Sequence, residues 1–226
     1  MKNSFQEITQ TETPWIAPSI LSCNFLEMGK ELDAIEEAGA DFVHLDIMDD
    51  HFVPNISFGP AIVKHVAQKT QIPMIAHLMI DNPLKYARIF YEMNVFGISF
   101  HIEAVDNYWE VIDGIKSLGM QAAIAIKPST EIKEAEKLVE KCDFILIMSV
   151  EPGYSGQSFM EVALPKIENL RKISEKMNKS LPIEVDGGIN SNTARLCRDA
   201  GANILVSASY IFKSKDYKKA IESLRG

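Results

Sequence analysis

Cysteine is scarce in this sequence, and its scarcity limits the classes of protein to consider. The 226 residues include 3 cysteines, Cys23, Cys142 and Cys197. An odd number without the paired spacing of zinc fingers argues against a disulfide framework and against a structural zinc site. The sequence therefore predicts free, packed thiols and indicates a protein of the reducing cytoplasm.

Long apolar runs are also absent. No segment approaches the roughly 18 consecutive apolar residues that a membrane span requires. Residues 1–14 carry Glu7 and Glu12, where a secretory signal peptide needs an apolar run. We therefore expect a soluble protein that is neither exported nor bound to a membrane.

Basic residues are outnumbered by acidic ones, 23 to 31, which gives a formal net charge of −8. No basic cluster is present that could follow a nucleic-acid backbone, so nucleic acid is not an expected partner. An anionic substrate would have to be bound locally, by backbone amides. What the chain does have is ordinary globular composition, with 46% hydrophobic and 24% charged residues.

Short apolar runs alternate with amphipathic segments along the whole chain, a pattern typical of repeated strand and helix units. Strands are predicted near 16–21, 42–48, 73–79, 96–101, 121–126, 144–149, 182–186 and 204–207. Helices are predicted at 26–37, 60–68, 83–93, 108–118, 131–141, 163–176, 193–200 and 215–224. Strands covered on both faces by helices must be parallel. Eight such units predict an α/β fold, a single-domain (β/α)8 TIM barrel.

No linker or low-complexity segment divides the chain. The sequence predicts an N-terminal arm over residues 1–14 and one barrel domain over residues 15–226. A doubly wound nucleotide-binding sheet is disfavoured because its first turn needs Gly-x-Gly-x-x-Gly, and residues 18–23 read PSILSC. The similar segments 38–40 and 200–202, both Ala-Gly-Ala, predict helix exits with a glycine at positive φ.

Polar residues end several of the apolar runs, and in a barrel these carboxyl-terminal strand ends form the working face. His44 and Asp46 are two residues apart on one predicted strand, so both side chains point into the barrel mouth. His77 and Asp186 end two other predicted strands. This mixed nitrogen and oxygen set suits one divalent ion, foremost zinc, with iron, manganese and cobalt as alternatives. His101 also ends a strand and is interpreted as a supporting contact rather than a ligand.

Methionines and glycines accompany the predicted centre. Met48, Met79 and Met148 stand at matching strand positions, either as core residues or as the polarizable wall of a pocket. Two glycine-containing segments follow the late strands, where barrels commonly bind phosphate through backbone amides, although simple turns would have the same composition. We favour a phosphate site formed by Gly153, Ser155, Gly156, Gln157, Gly187, Gly188 and Ser209.

Seven segments of the chain resemble ribulose-phosphate 3-epimerases. They are APSILS at 17–22, HLDIMD at 44–49, HFVPN at 51–55, HLM at 77–79, MSVEPG at 148–153, GQSF at 156–159 and EVDGG at 184–188. The resemblance extends over about residues 15–225 in unbroken order. The segments include both the predicted metal ligands and the glycine loops.

The resemblance implies an enzyme of the pentose phosphate pathway that interconverts D-ribulose 5-phosphate and D-xylulose 5-phosphate through an enediolate. It implies one divalent metal on His44, Asp46, His77 and Asp186, with Asp46 and Asp186 as the two acid/base groups. The implied substrate contacts are Ser19, His77, Met48, Met79, Met148, Gly153, Ser155, Gly156, Gln157, Gly187, Gly188, Ala208 and Ser209. We expect the enzyme to be a homo-oligomer that needs no redox cofactor.

The chain departs from the family pattern at two places, and three other functions have to be compared with this epimerase activity. Asp50 stands where the family has glycine, and residues 208–210 read Ala-Ser-Tyr in place of Gly-Ser-Ala. An epimerase of D-allulose 6-phosphate, one carbon longer, is the first alternative. Decarboxylases of the orotidine-phosphate type need Asp-x-Lys-x-x-Asp, and residues 46–50 read DIMDD without lysine. A metal- or phosphate-binding barrel without turnover is disfavoured, because paired carboxylates beside a metal are costly to keep.

Overall fold

The computed structural model describes Thr11 and residues 13–226, and its main feature is one sheet of eight parallel strands. The strands are β1 (Trp15–Pro18), β2 (Val43–Met48), β3 (Met74–Met79), β4 (Gly97–His101), β5 (Gln121–Ile126), β6 (Phe144–Met148), β7 (Ile183–Asp186) and β8 (Ile204–Ser207). Their order, β1-β8-β7-β6-β5-β4-β3-β2, leaves β1 and β2 at the two ends. A parallel bridge between Ser19 and His44 joins these ends and closes the barrel.

Helices alternate with the strands and surround the barrel. They are α1 (Met28–Glu37), α2 (Pro60–Lys69), α3 (Pro83–Tyr91), α4 (Tyr108–Ser117), α5 (Ala135–Lys141), α6 (Ala163–Lys176), α7 (Ser191–Ala200), α8 (Ser209–Phe212) and α9 (Tyr217–Arg225). Short 3-10 turns at Ile20–Ser22 and Phe25–Glu27 follow β1, and one at Ile102–Ala104 follows β4. The predicted (β/α)8 TIM barrel of the α/β class is confirmed.

Strand alternation divides the buried residues into two layers. Val43 and Leu45 of β2 belong to the large apolar cluster that extends outward to the helices. Phe42 and Phe144 belong to a second cluster, inside the barrel, and both are 0% exposed. Because a buried Phe side chain contributes about 1.5–3 kcal/mol, these interior residues form a stable floor beneath the mouth.

Two predicted element boundaries are wrong and one short helix is missing from the prediction, each for a local reason. β1 ends at Pro18 because the chain turns there, and the Ser19 hydroxyl accepts from the Leu21 amide at 3.4 Å. α5 begins at Ala135 instead of residue 131, after Glu134 adopts a φ of 51°. α8 is not predicted at all, because a helix of 4 residues is too short to show a periodic pattern.

Smaller expectations also have clear outcomes. Gly39 and Gly201 have φ of 86° and 106°, which confirms the predicted helix exits. Cys142 and Cys197 are buried free thiols, and burial raises the pKa of each to about 12. Most of the predicted N-terminal arm, residues 1–14, lies outside the described residues. In the part of the chain that the structure describes, no helix combines the length and the apolar character needed to cross a bilayer.

Candidate active site

The four predicted metal ligands meet at the carboxyl-terminal mouth of the barrel. His44 and Asp46 lie two residues apart on β2, and Asp46 pairs in register with His77 of β3. Asp186 ends β7. One donor atom from each of these four residues lies within 4.8 Å of the other three. Strand alternation and barrel closure therefore bring all four side chains together.

Asp46 Oδ1 faces both imidazoles of this cluster. It lies 3.0 Å from His77 Nδ1 and 3.3 Å from His44 Nε2. Asp186 Oδ2 lies 3.9 Å from the same His77 nitrogen and 4.0 Å from the same His44 nitrogen. Each imidazole thus directs one nitrogen toward both carboxylates. Two nitrogens and two oxygens at this spacing match the donor set of a four-coordinate zinc-type site.

His44 provides a test of whether a cation fits among these donors. The side chain is 0% exposed, and its ring nitrogens lie 3.3 Å from Asp46 and 3.2 Å from Glu184, but neither contact within the described residues has the geometry of a hydrogen bond. An unpaired buried polar atom costs about 1–3 kcal/mol, so native structures rarely keep one without an ion or ligand. A divalent ion on Nε2 would satisfy this nitrogen. The cluster could therefore hold a metal ion, and its residues fit one.

Burial and mutual charge separate the two carboxylates electrostatically. Burial, followed by the negative charge of Asp46, raises the pKa of Asp186 to about 8. Burial acts in the same direction on Asp46, but His44 and His77 hold the pKa of that carboxyl well below its usual range. Burial alone would lower the pKa of His44, yet Asp46 and Glu184 raise it well above its usual value. A cation would neutralise both aspartates, so metal binding and proton release are linked here.

Asp46 uses its second carboxylate oxygen for a contact with Ser19. The Ser19 hydroxyl donates to Asp46 Oδ2 at 2.5 Å, and Ser19 is 0% exposed. Because Oδ1 faces the imidazoles, this bond fixes the carboxylate plane and keeps Oδ2 on the side away from the ligand nitrogens. The structure thus places Ser19 against Asp46, and its contact with a substrate stays a prediction.

A cavity of about 420 Å³ adjoins the metal-ligand cluster. Asp46 and Asp186 line it, and so do the predicted residues Met48, Met79, Met148, Gly153, Ser155, Gly156, Gln157, Gly187, Gly188, Ala208 and Ser209. Ser19, His44 and His77 are 0% exposed and lie behind this lining. The volume is in the range of small-molecule sites. The three methionines are therefore both buried and part of a pocket wall.

Backbone segments from three loops approach one another closely around this cavity. A Cβ added at Gly156 would lie 4.0 Å from Ser209 Oγ, so these two residues are neighbours. A Cβ added at Gly187 would lie 2.5 Å from Val150 Cγ2. One at Gly188 would lie 2.5 Å from the backbone nitrogen of Phe159. Only glycine permits this packing of the β7 loop against the 150–159 loop.

Hydrogen bonds also hold the 150–159 loop against the loop that follows β2. The Tyr154 hydroxyl donates to Pro54 O at 2.6 Å, and Asn55 Nδ2 donates to Gly153 O at 2.6 Å. The Gln157 amide donates within its own loop, to Tyr154 O at 2.9 Å and to Glu151 O at 2.6 Å. These bonds set the loop's shape, so Gln157 lines the cavity while its amide nitrogen is used by the loop itself.

Replacing Gly188 with alanine should raise KM for a phosphorylated substrate more than it lowers kcat. Gly188 has a φ of 62°, and the added Cβ would press on Phe159, so the 150–159 loop must move. Backbone strain of about 1–3 kcal/mol corresponds to a change of about 5- to 150-fold. Steady-state kinetics would measure this rise.

Gly119→Ala is the matched control for that substitution. Gly119 also has positive φ, 85°, but an added Cβ there would meet nothing within 4 Å. We expect its KM to equal that of the wild type. An unchanged KM in Gly188→Ala would contradict the prediction that this loop binds phosphate.

Two glutamates beside the histidines, Glu184 and Glu103, are not among the residues that the sequence predicts for the site. Glu184 is 0% exposed, and its Oε1 lies 3.2 Å from His44 Nδ1. It precedes Asp186 by two residues on β7, so the alternation rule applied to β2 could have found it. Glu103 Oε2 lies 3.1 Å from His101 Nδ1, but Glu103 belongs to a 3-10 turn, where strand alternation does not hold. Burial lowers the pKa of His101 to about 4, so its imidazole is neutral at pH 7.

Fold and site together define a (β/α)8-barrel protein with a candidate metal centre at the carboxyl ends of its strands. A sequence model of the ribulose-phosphate 3 epimerase family matches residues 15–212. The ribulose-phosphate 3-epimerase of Bacillus subtilis is 42% identical, over 93% of this chain and 98% of its own length. That of Methanocaldococcus jannaschii is 44% identical, over 93% of this chain and 89% of its own. The chain belongs to the ribulose-phosphate 3-epimerase family.

Solved structures share the fold at much lower sequence identity. A Mycobacterium tuberculosis tryptophan synthase aligns with a TM-score of 0.68 at 12% identity, over 98% of this chain and 95% of that one. A tryptophan synthase α-subunit from Pyrococcus furiosus aligns at 0.67 and 15% identity, over 94% and 97% of the two chains. At such identity the likeness supports the barrel fold alone.

Backbone conformation accounts for two of the residues that depart from the family pattern, Asp50 and Ala208. Asp50 has a φ of 62°, a region that Asp enters more readily than most side chains, so it can replace a glycine. Ala208 has a φ of −107°, outside the left-handed region that favours glycine, so an alanine can replace a glycine at this position. Tyr210 lines the cavity, and its hydroxyl lies 3.0 Å from Ser223 Oγ.

Proposed function

We propose that this chain is a metal-dependent epimerase that inverts carbon 3 of a ketose phosphate, with D-ribulose 5-phosphate and D-xylulose 5-phosphate as its substrate pair. Membership of the family supports the reaction. The observation that carries the proposal is the position of Asp46 and Asp186. These carboxylates come from strands three places apart around the barrel, belong to one ligand cluster and line one cavity.

Asp46 and Asp186 are the proposed proton carriers. Loss of the proton at carbon 3, beside the ketone, converts the substrate to an enediolate. One carboxylate removes this proton from its face of the carbon, and the other returns a proton from the opposite face, which inverts the centre. The roles exchange for the reverse reaction. The Ser19 bond at 2.5 Å orients Asp46 for its part.

His44, Asp46, His77 and Asp186 are the proposed ligands of one divalent ion. Zinc is the proposed metal because it favours four nitrogen and oxygen donors, with iron, manganese and cobalt as the alternatives. When bound, the ion supplies Lewis-acid stabilisation, worth several kcal/mol, of negative charge that develops on the substrate oxygens. The methionine walls exclude water without adding a competing nucleophile.

The proposed phosphate site consists of backbone amides of Gly156, Gly187, Gly188 and Ser209. Two observations support this phosphate site. The three loops approach one another closely, and the side chains that line the cavity leave backbone amides as the main donors. Among the described residues that line the cavity there is no lysine or arginine. An anion in this cavity therefore depends on main-chain and hydroxyl donors, which oriented loop amides supply.

Several expectations stay predictions about the whole molecule. We assign the barrel domain to residues 15–226, and we propose a homo-oligomer that works in the cytoplasm without a nucleic-acid partner. The oligomer can be tested by light scattering at micromolar concentration.

The substrate is tested by comparing kcat/KM for ribulose 5-phosphate and allulose 6-phosphate in the metal-saturated enzyme. We expect the pentulose to be favoured by about 10- to 200-fold, the range in which pockets discriminate one added carbon unit. A reversed preference would identify a hexulose-phosphate epimerase. Absence of turnover with both sugars would indicate a binding barrel instead and would overturn the proposed function.

A further inference from the structure

The ring nitrogens of His44 and His77 that point away from the two aspartates lead to glutamates, directly in His44 and through a second histidine in His77. His44 Nδ1 lies 3.2 Å from Glu184 Oε1. The path from His77 is longer and contains a second imidazole. His77 Nε2 lies 2.9 Å from His101 Nε2, and His101 Nδ1 lies 3.1 Å from Glu103 Oε2. All three histidines are 0% exposed, so water does not reach the contact between the rings of His77 and His101. The Glu103 side chain, at the outer end of the path, is 20% exposed.

The proton positions along the path from His77 follow from its geometry. His77 Nδ1 faces the aspartates, so a metal bound there leaves the ring proton on Nε2. That proton can be donated to Nε2 of His101 only if this nitrogen is unprotonated. The proton of His101 must then be on Nδ1, where it is donated to Glu103. This is the single arrangement of neutral rings in which both short contacts are hydrogen bonds.

The far end of the path is held rigidly. Glu103 Oε1 accepts from the backbone amide of Lys127 at 3.0 Å. Lys166 Nζ donates to Lys127 O at 2.8 Å and to two further carbonyls of the same loop, which fixes the loop that carries this amide. The His101 ring also packs against Phe52, with ring centroids 4.7 Å apart. His101 therefore cannot turn without breaking contacts on several sides.

We propose that His101 and Glu103 are positioning residues, which hold His77 in the tautomer and orientation that present Nδ1 to the metal. The inference rests on the proposed metal centre. Partners of this kind typically contribute 10- to 100-fold in metal affinity, because a ligand that must first be oriented binds more weakly. Neither residue lines the cavity, so neither is assigned a contact with substrate.

Zinc affinity of stripped protein, measured by competition with a chromogenic chelator, tests this role in three variants. His101→Leu removes the acceptor for His77 and should weaken zinc binding by about 10- to 100-fold. His101→Gln keeps an acceptor oxygen and should restore most of the affinity. Ser99→Ala is the matched control, because Ser99 is also 0% exposed and lies two residues earlier on the same face of β4. It should bind zinc like the wild type.

Histidine NMR of the zinc-loaded wild type tests the same inference without any substitution. Nitrogen-15 spectra of the rings should show His77 protonated on Nε2 and His101 protonated on Nδ1. A proton on Nε2 of His101, or wild-type zinc affinity in a folded His101→Leu, would overturn the positioning role while leaving the proposed function intact. Failure of the wild type to bind zinc, iron, manganese or cobalt at one equivalent would overturn the metal centre and this inference with it.

Discussion

Replacing Asp186 with asparagine should slow epimerisation of D-ribulose 5-phosphate by at least 10²- to 10⁴-fold, even with metal kept saturating. Asparagine keeps the size of the side chain and one oxygen that can ligate a metal, but its amide cannot carry the proton. Asp46→Asn should cause a loss of the same order for the same reason. The rate of xylulose 5-phosphate formation, followed by NMR, measures both losses.

Asp50→Asn is the matched control for these two variants. Asp50 is exposed on the loop that follows β2, and Asn tolerates its φ of 62°. The same chemical change should therefore leave the rate unaltered. A near wild-type rate in Asp186→Asn would show that one mobile base, or another residue such as His101, carries both proton transfers.

Removal of the divalent ion should abolish turnover while the barrel stays folded. The interior floor, with Phe42 and Phe144 at 0% exposure, does not include the four proposed ligands at the mouth. Loss of several kcal/mol of charge stabilisation corresponds to about 10³-fold or more in rate.

Chelator treatment followed by circular dichroism and a rate assay tests this prediction. The far-UV spectrum should be unchanged, and added zinc should restore activity. The raised pKa of Asp186 also predicts that metal affinity increases as pH rises toward 8, because the proton and the metal compete for this carboxylate. Full activity in metal-free protein would refute the role of the ion. Loss of the far-UV signal after chelation would show that the barrel needs the metal to stay folded.

The fold was predictable because its two periodicities are strong and local. In β2, the apolar residues Val43 and Leu45 alternate with His44 and Asp46, and this alternation alone separates the outer layer from the inner one. Parallel strands buried on both faces explain the apolar runs elsewhere. α5 and α8 were harder because one starts at a residue with positive φ and the other has only 4 residues.

The meeting of the four predicted metal ligands was predictable for the same reason, whereas the contacts around them were not. Strand ends bring His77 and Asp186 to one mouth in any barrel of this topology. The bond from Ser19 to Asp46 depends on the closure between β1 and β2, and the contact of Glu103 with His101 depends on a 3-10 turn. Neither arrangement follows from a sequence period. Loop contacts such as Tyr154 to Pro54 join residues about 100 positions apart and also have no local signal.

The most direct test of the central claim, two carboxylates acting on opposite faces of carbon 3, is solvent exchange in deuterated water. Asp186→Asn and Asp46→Asn are each incubated with D-ribulose 5-phosphate and, separately, with D-xylulose 5-phosphate at saturating metal. We predict that each variant exchanges the carbon 3 hydrogen of one epimer without inverting it, and that the two variants exchange opposite epimers. Exchange of the same epimer by both variants, or inversion by either at near wild-type rate, would contradict the account.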